Sequence, residues 1–219
     1  MDKQSDCSRL HRIGIMGGTF DPIHYGHLVA AEVARSEFCL DKVIFMPAGN
    51  PPHKQLRRIS DPEQRYLMTV LAAASNPNFE VSRLEVDKDQ LTYTYDTVME
   101  LKRLYGEAAR IYFITGADAV LELLTWYRIE ELLGICSFIA VTRPGFDKGD
   151  LEQKISEITS KYGGEIICIE VPLLAISSTD IRARCSNGKT IKYLLPEEVE
   201  KYILENGLYN EAKRCPPPI

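Results

Sequence analysis

The sequence predicts a single α/β domain built on a doubly wound, mostly parallel sheet with helices on both faces. Three observations lead there. Six short runs rich in Ile, Val and Phe recur along the chain, as strands buried between two helical layers require. Helical stretches separate them, which is the alternation of a parallel sheet. The loops after the runs gather glycine, histidine, hydroxyl residues and arginine, and in such sheets ligands bind beyond the carboxyl ends of the strands.

The strands are expected at residues 12–16, 42–46, 79–81, 110–115, 136–142 and 165–171. The helices are expected at 26–39, 62–75, 95–105, 117–123, 129–133, 151–161, 178–185 and 196–206. Asp61-Pro62-Glu63 and Leu195-Pro196-Glu197 place a proline in a first helical turn. Gly207, after Asn206, supplies a stop. Residues 1–9 and 211–219 read as flexible tails around one domain at 10–210, with no linker, repeat or low-complexity block between them.

The 219 residues carry 26 Lys plus Arg against 31 Asp plus Glu, a formal net charge of −5. That balance argues against a dedicated nucleic-acid binder while leaving room for a locally basic pocket. No apolar run approaches the ~18 residues of a membrane helix, and the polar N-terminus lacks a signal core, so a cytoplasmic protein is expected. The six cysteines (Cys7, Cys39, Cys136, Cys168, Cys185 and Cys215) form no C-x-x-C pair and read as free thiols rather than disulfides or a zinc site. Of the four histidines, His24, His27 and His53 fall close together.

The first strand-to-helix junction runs Gly17-Gly18-Thr19-Phe20-Asp21-Pro22-Ile23-His24-Tyr25-Gly26-His27. Glycines admit close backbone approach to a ligand, and a helix N-terminus favours phosphate. It is neither a Walker A loop nor the G-x-G-x-x-G fingerprint. His24 and His27, three apart, share one side of the first turn and can meet two oxygens of one polyphosphate, where protonated imidazole would stabilise developing charge. A zinc site lacks an obvious third ligand nearby, and a tight turn with histidine caps would need no ligand at all.

The string GGTFDPIHYGHL resembles the H-x-G-H signature of the nucleotidyltransferase superfamily, in the form found in bacterial nicotinate mononucleotide adenylyltransferases. The resemblance covers residues 12–210 and implies a Rossmann-like fold. It assigns Gly17, Gly18, Thr19, Phe20, His24 and His27 to ATP. Gly116-Ala117-Asp118 matches a G-A-D at the nucleotide site, although Asp118 alone could simply cap a helix. Ile176-Ser177-Ser178-Thr179-Asp180-Ile181-Arg182 matches I-S-[SA]-T-x-I-R, which holds ATP phosphates; three hydroxyl residues before a helix are also good caps.

For the second substrate, Asn50-Pro51-Pro52-His53-Lys54 is similar to a segment near the mononucleotide phosphate, which gives Lys54 that contact. Tyr93 and Thr94 fall in a Y-T-x-x-T segment that lines the nicotinate pocket, Thr94 acting through its backbone N–H; a helix cap would explain Thr94 equally. Trp126, the only tryptophan, would stack on nicotinate, with the Tyr127 backbone donating to its carboxylate, unless it is simply core. Arg143 is a secondary candidate for that side.

The implied reaction is ATP plus nicotinate mononucleotide giving nicotinate adenine dinucleotide (deamido-NAD) and pyrophosphate. His24, His27 and Arg182 would stabilise charge, and Mg²⁺ would travel with ATP rather than in a protein cage. A non-catalytic nucleotide sensor, or adenylyl transfer to another acceptor such as phosphopantetheine, are the rivals. Nicotinate is favoured over nicotinamide through the resemblance alone. A homodimer is neither required nor ruled out.

Overall fold

In the computed structural model, residues 11–50, 59–88, 90–145, 148–172 and 174–210 are described. Six strands are hydrogen-bonded in the order β3-β2-β1-β4-β5-β6, and every pairing is parallel. They are β1 Arg12–Gly18, β2 Lys42–Pro47, β3 Phe79–Val81, β4 Arg110–Gly116, β5 Ser137–Thr142 and β6 Ile166–Glu170. The sheet is therefore wholly parallel, where the sequence predicted mostly so. β1 and β4 run on through Gly18 and Gly116, because their pairing with β2 and β5 continues to the ends of those strands.

The helices are α1 Tyr25–Glu37, α2 Pro62–Ala73, α3 Thr94–Tyr105, α4 Ala117–Leu121, α5 Ile129–Ile135, α6 Lys148–Tyr162, α7 Ser178–Ser186 and α8 Glu197–Glu205. The stretch expected as one helix at 117–123 breaks after α4 into a 3₁₀ turn, Leu123–Thr125. Asp61 caps α2 by accepting the Glu63 N–H at 2.9 Å, and Pro62 takes the first helical position. Pro196 instead sits at the N-cap of α8, one residue before the helix. Gly207, at φ 60°, ends that helix as expected.

Strand alternation sorts the core onto two faces. Met16, Phe45 and Ile114 meet Ala31 and Ala34 of α1, Met68 of α2, Ile181 of α7 and Val199 of α8. Ile15, Ile44, Phe113 and Phe138 meet Val98 and Leu101 of α3 and Leu132 of α5. Burying each such large side chain contributes about 1.5–3 kcal/mol. β6 departs from the expectation of strands buried on both faces: it is an edge strand, and Cys168 on it is exposed.

β1 lies between β2 and β4, so α1 and α4 leave neighbouring strand ends toward opposite faces. The carboxyl ends of β1 and β4 thus open a crevice at the point where the strand order reverses.

Candidate active site

A cleft of about 620 Å³ opens at the carboxyl ends of β1, β4 and β5. The structure brings Gly17, His24 and His27 to it from the first junction, Gly116 and Asp118 from the fourth strand, and Ile176, Ser177 and Ser178 from the start of α7. Arg143 also lines it. Its positive charge bears on His24.

His24 caps α1 and is 6% exposed. Its ring centroid lies 3.8 Å from that of His27, with the planes 31° apart. The backbone N–H of His24 donates to Nδ1 of His27 at 3.2 Å, which places the His27 proton on Nε2. Nδ1 of His24 is buried and has no hydrogen-bond partner among the described residues. Burial, and then the Arg143 charge, lower the His24 pKa from 6.5 to about 4. Burial therefore favours the neutral form of His24, where the sequence reading expected a protonated imidazole.

Gly26 makes this packing possible. A Cβ there would come within 3.0 Å of both Cε1 and Nδ1 of His24, so the imidazole lies over the first turn of α1. The sequence reading passed over this residue, although its place between the two histidines was the available signal. Phe20, assigned to ATP from sequence, is 2% exposed and meets His27 edge-on at 5.1 Å. Its geometry is that of a brace for the ring.

The junction is tied down from three directions. Arg182 donates to the Asp21 carbonyl at 2.6 Å and to Thr179 Oγ1 at 3.2 Å. Ser178 Oγ donates to the Pro22 carbonyl at 2.8 Å, and Ser177 caps α7 by accepting the Asp180 N–H. The Tyr209 hydroxyl donates to Asp21 Oδ1 at 2.7 Å, and burial with that carboxylate pushes its pKa upward. Neither Asp21 nor Tyr209 was singled out from sequence.

Arg65 was also missed. It is 1% exposed and donates to the carbonyls of Ser60 at 3.0 Å, Thr19 at 2.8 Å and Gly49 at 3.0 Å. One guanidinium thus joins the loop after β1 to the loop after β2. The available signal was an arginine on the same helical face as Met68, Thr69 and Ala72.

A second group of expected residues gathers away from the cleft. Tyr93 is the N-cap of α3 and Thr94 its first residue, which corrects the alternative of Thr94 as cap. As the first helical residue, Thr94 has a backbone N–H with no acceptor inside the helix. The rings of Tyr93 and Tyr127 stack at 4.6 Å, and Arg128 lies 4.1 Å over Tyr95. Trp126 is half-buried and meets Phe113 edge-on at 5.6 Å and Phe138 at 6.1 Å. Phe113 also packs beneath Gly17, where a Cβ would come within 2.9 Å of its ring. It thereby connects the aromatic group to the end of β1. Lys54 and His53 lie outside the described residues, as do Cys7 and Cys215. Cys39, Cys136 and Cys185 are free thiols, and burial pushes the Cys136 thiol up to about 12.

Among the described residues no group of three or more His, Cys, Asp or Glu could hold a metal ion. None of their helices is long and apolar enough to cross a membrane.

Residues 15–184 match the family model of cytidylyltransferase-like proteins. A relative from Thermoanaerobacter sp., named nicotinate-nucleotide adenylyltransferase, is 59% identical over 200 residues, covering 91% of this chain and 95% of its own length. One from Moorella thermoacetica under the same name is 59% identical over 202 residues, covering 92% and 93%. Among solved structures, the fold is similar to Plasmodium falciparum nicotinic acid mononucleotide adenylyltransferase complexed with NaAD. The TM-score is 0.74 at 21% identity, over 91% of this chain and 97% of that one.

Proposed function

The chain belongs to the cytidylyltransferase-like family and, within it, to the nicotinate-nucleotide adenylyltransferases of NAD biosynthesis, and on that premise we propose that its cleft joins ATP to nicotinate mononucleotide by direct in-line transfer. The mononucleotide phosphate oxygen attacks the α-phosphorus of ATP. The bond from that phosphorus to the bridging oxygen breaks, and pyrophosphate leaves with the electron pair. The attacking phosphate is already ionised near neutral pH, so no general base is needed. Positioning and charge stabilisation supply the catalysis.

The observation that carries this reading is the pair of stacked imidazoles at the N-terminus of α1, beside the 620 Å³ cleft. With Nδ1 of His24 resting over the positive end of the helix, its proton also belongs on Nε2. The two histidines then act as neutral N–H donors to the ATP phosphates, with Arg143 adding charge beside them. Gly116 and Asp118 hold the adenosine side, and Ser177, Ser178, Thr179 and Arg182 meet the departing pyrophosphate at the start of α7. Tyr93, Thr94, Trp126 and Tyr127 receive the mononucleotide, with Lys54 on its phosphate. Mg²⁺ would ride on the phosphate oxygens and neutralise part of their charge.

Pyrophosphate release from ATP plus nicotinate mononucleotide tests the reading. His24→Ala and His27→Ala should each lower kcat/KM by about 10²–10³-fold. Wild-type values in both variants would remove the assigned role, and equal kcat/KM with nicotinamide mononucleotide would remove the substrate preference.

A further inference from the structure

Away from the ATP cleft, one carboxylate has no part in the chemistry above. Glu85 lies between β3 and α3 and is half-buried, with the positive charge of Lys88 bearing on it. Its Oε1 accepts the Thr97 hydroxyl at 2.6 Å, and its Oε2 accepts the Thr92 hydroxyl at 3.1 Å. Thr97 is 1% exposed on the first turn of α3, whereas Thr92 precedes that helix. The carboxylate therefore spans the turn that carries Tyr93 and Thr94. Both bonds go to a charged acceptor, the stronger kind of hydrogen bond.

The backbone of Glu85 has a second contact. A Cβ on Gly49 would come within 2.1 Å of the Glu85 carbonyl oxygen, so the loop after β2 can pass there only as glycine. One residue on, Asn50 forms a parallel bridge with Leu91. The loop after β2 and the segment before α3 are thus paired, and Glu85 touches both.

We propose that Glu85 is a positioning residue for the mononucleotide substrate. By tying Thr92 to Thr97 and seating Gly49, it fixes the register between the loop after β2 and the N-terminus of α3. This rests on the reading above that the 92–97 segment and the loop after β2 receive that substrate. Burial raises the Glu85 pKa, opposed by its bonds to Thr97 and Thr92.

The test is steady-state kinetics with each substrate varied in turn. Glu85→Leu should raise KM for nicotinate mononucleotide by about tenfold or more, with KM for ATP within about twofold. Glu85→Gln keeps an acceptor and should stay within about threefold of wild type for both. Should the leucine variant fail to fold, Thr92→Val with Thr97→Val removes the same two bonds from the hydroxyl side and must give the same one-sided rise. An unchanged mononucleotide KM, a parallel rise in both KM values, or a glutamine variant as impaired as the leucine one overturns the proposal. Trp126→Ala separates this claim from the site it rests on. A raised mononucleotide KM in Trp126→Ala with an unchanged one in Glu85→Leu overturns the positioning role and leaves the site standing. Unchanged values in both variants overturn both. A rise in Glu85→Leu alone supports positioning without the aromatic platform.

Discussion

The backbone N–H of His24 is held by Nδ1 of His27 at 3.2 Å, and the two rings stack at 3.8 Å. The pair is thus held by its own contacts, and its protonation is constrained by burial and by Arg143. The unfolded chain protonates His24 near its ordinary value of 6.5, whereas the folded chain does so only near 4. Between those values the unfolded state binds more protons, so stability falls as pH drops from 6.5 toward 4. The contribution is about 3 kcal/mol in total. Chemical denaturation at several pH values should show this slope in wild type and lose it in His24→Gln. Identical slopes would mean that His24 is not held neutral.

Gly26→Ala should separate stability from activity. Alanine is the better helix residue by about 0.5–1 kcal/mol. Yet its Cβ would meet the His24 imidazole at 3.0 Å and shift the ring by a few tenths of an ångström. The expected outcome is a Tm equal to or above wild type with kcat/KM lowered by at least about tenfold, since small misplacement of a positioned group is costly. A fully active variant would show that the ring needs no such seat.

Much of this was legible in the sequence because the strands advertise themselves. Runs such as Ile13-Gly14-Ile15-Met16 and Phe138-Ile139-Ala140 alternate between two buried faces, which is why they carry no polar side chain. The glycine and hydroxyl residues that follow them fixed where the cleft would be. What the sequence could not show was which face a side chain would turn to. Phe20 sits inside a phosphate-binding string yet packs inward against His27. Arg143 reads as generic after β5, and only the closeness of β1 and β5 across β4 sets it beside His24. Arg65, Glu85 and Tyr209 act through partners many residues away, and no local pattern records such a pairing.

Arg65→Met tests the link between the two loops. Removing the guanidinium leaves the Thr19, Gly49 and Ser60 carbonyls without their donor in a buried setting. The loss should be about 3 kcal/mol, seen as a Tm lower by about 10 °C. Because Thr19 follows β1 and Gly49 follows β2, KM should rise for ATP and mononucleotide together. That two-sided pattern is the opposite of the one expected for Glu85→Leu. A one-sided rise in Arg65→Met would mean that the loops are held independently.

Thr94→Pro examines the backbone donor at the start of α3. Proline is well tolerated at a first helical position, where its missing N–H has no acceptor in the helix. The preceding residue, Tyr93, has φ −114° and ψ 145°, within the extended region that a following proline requires. The substitution also removes the Thr94 hydroxyl, so Thr94→Val serves as its control. Folding should therefore survive, with a Tm close to that of Thr94→Val. If the N–H meets the pyridine-ring substituent, the proline variant alone should raise KM for nicotinate mononucleotide by about tenfold, the worth of one hydrogen bond to a charged group. KM for ATP should stay put in both, because the cleft lined by His24 and Ser177 does not include Thr94. Equal mononucleotide KM values in the proline and valine variants would place the carboxylate contact elsewhere, with the Tyr127 backbone as the next donor to test.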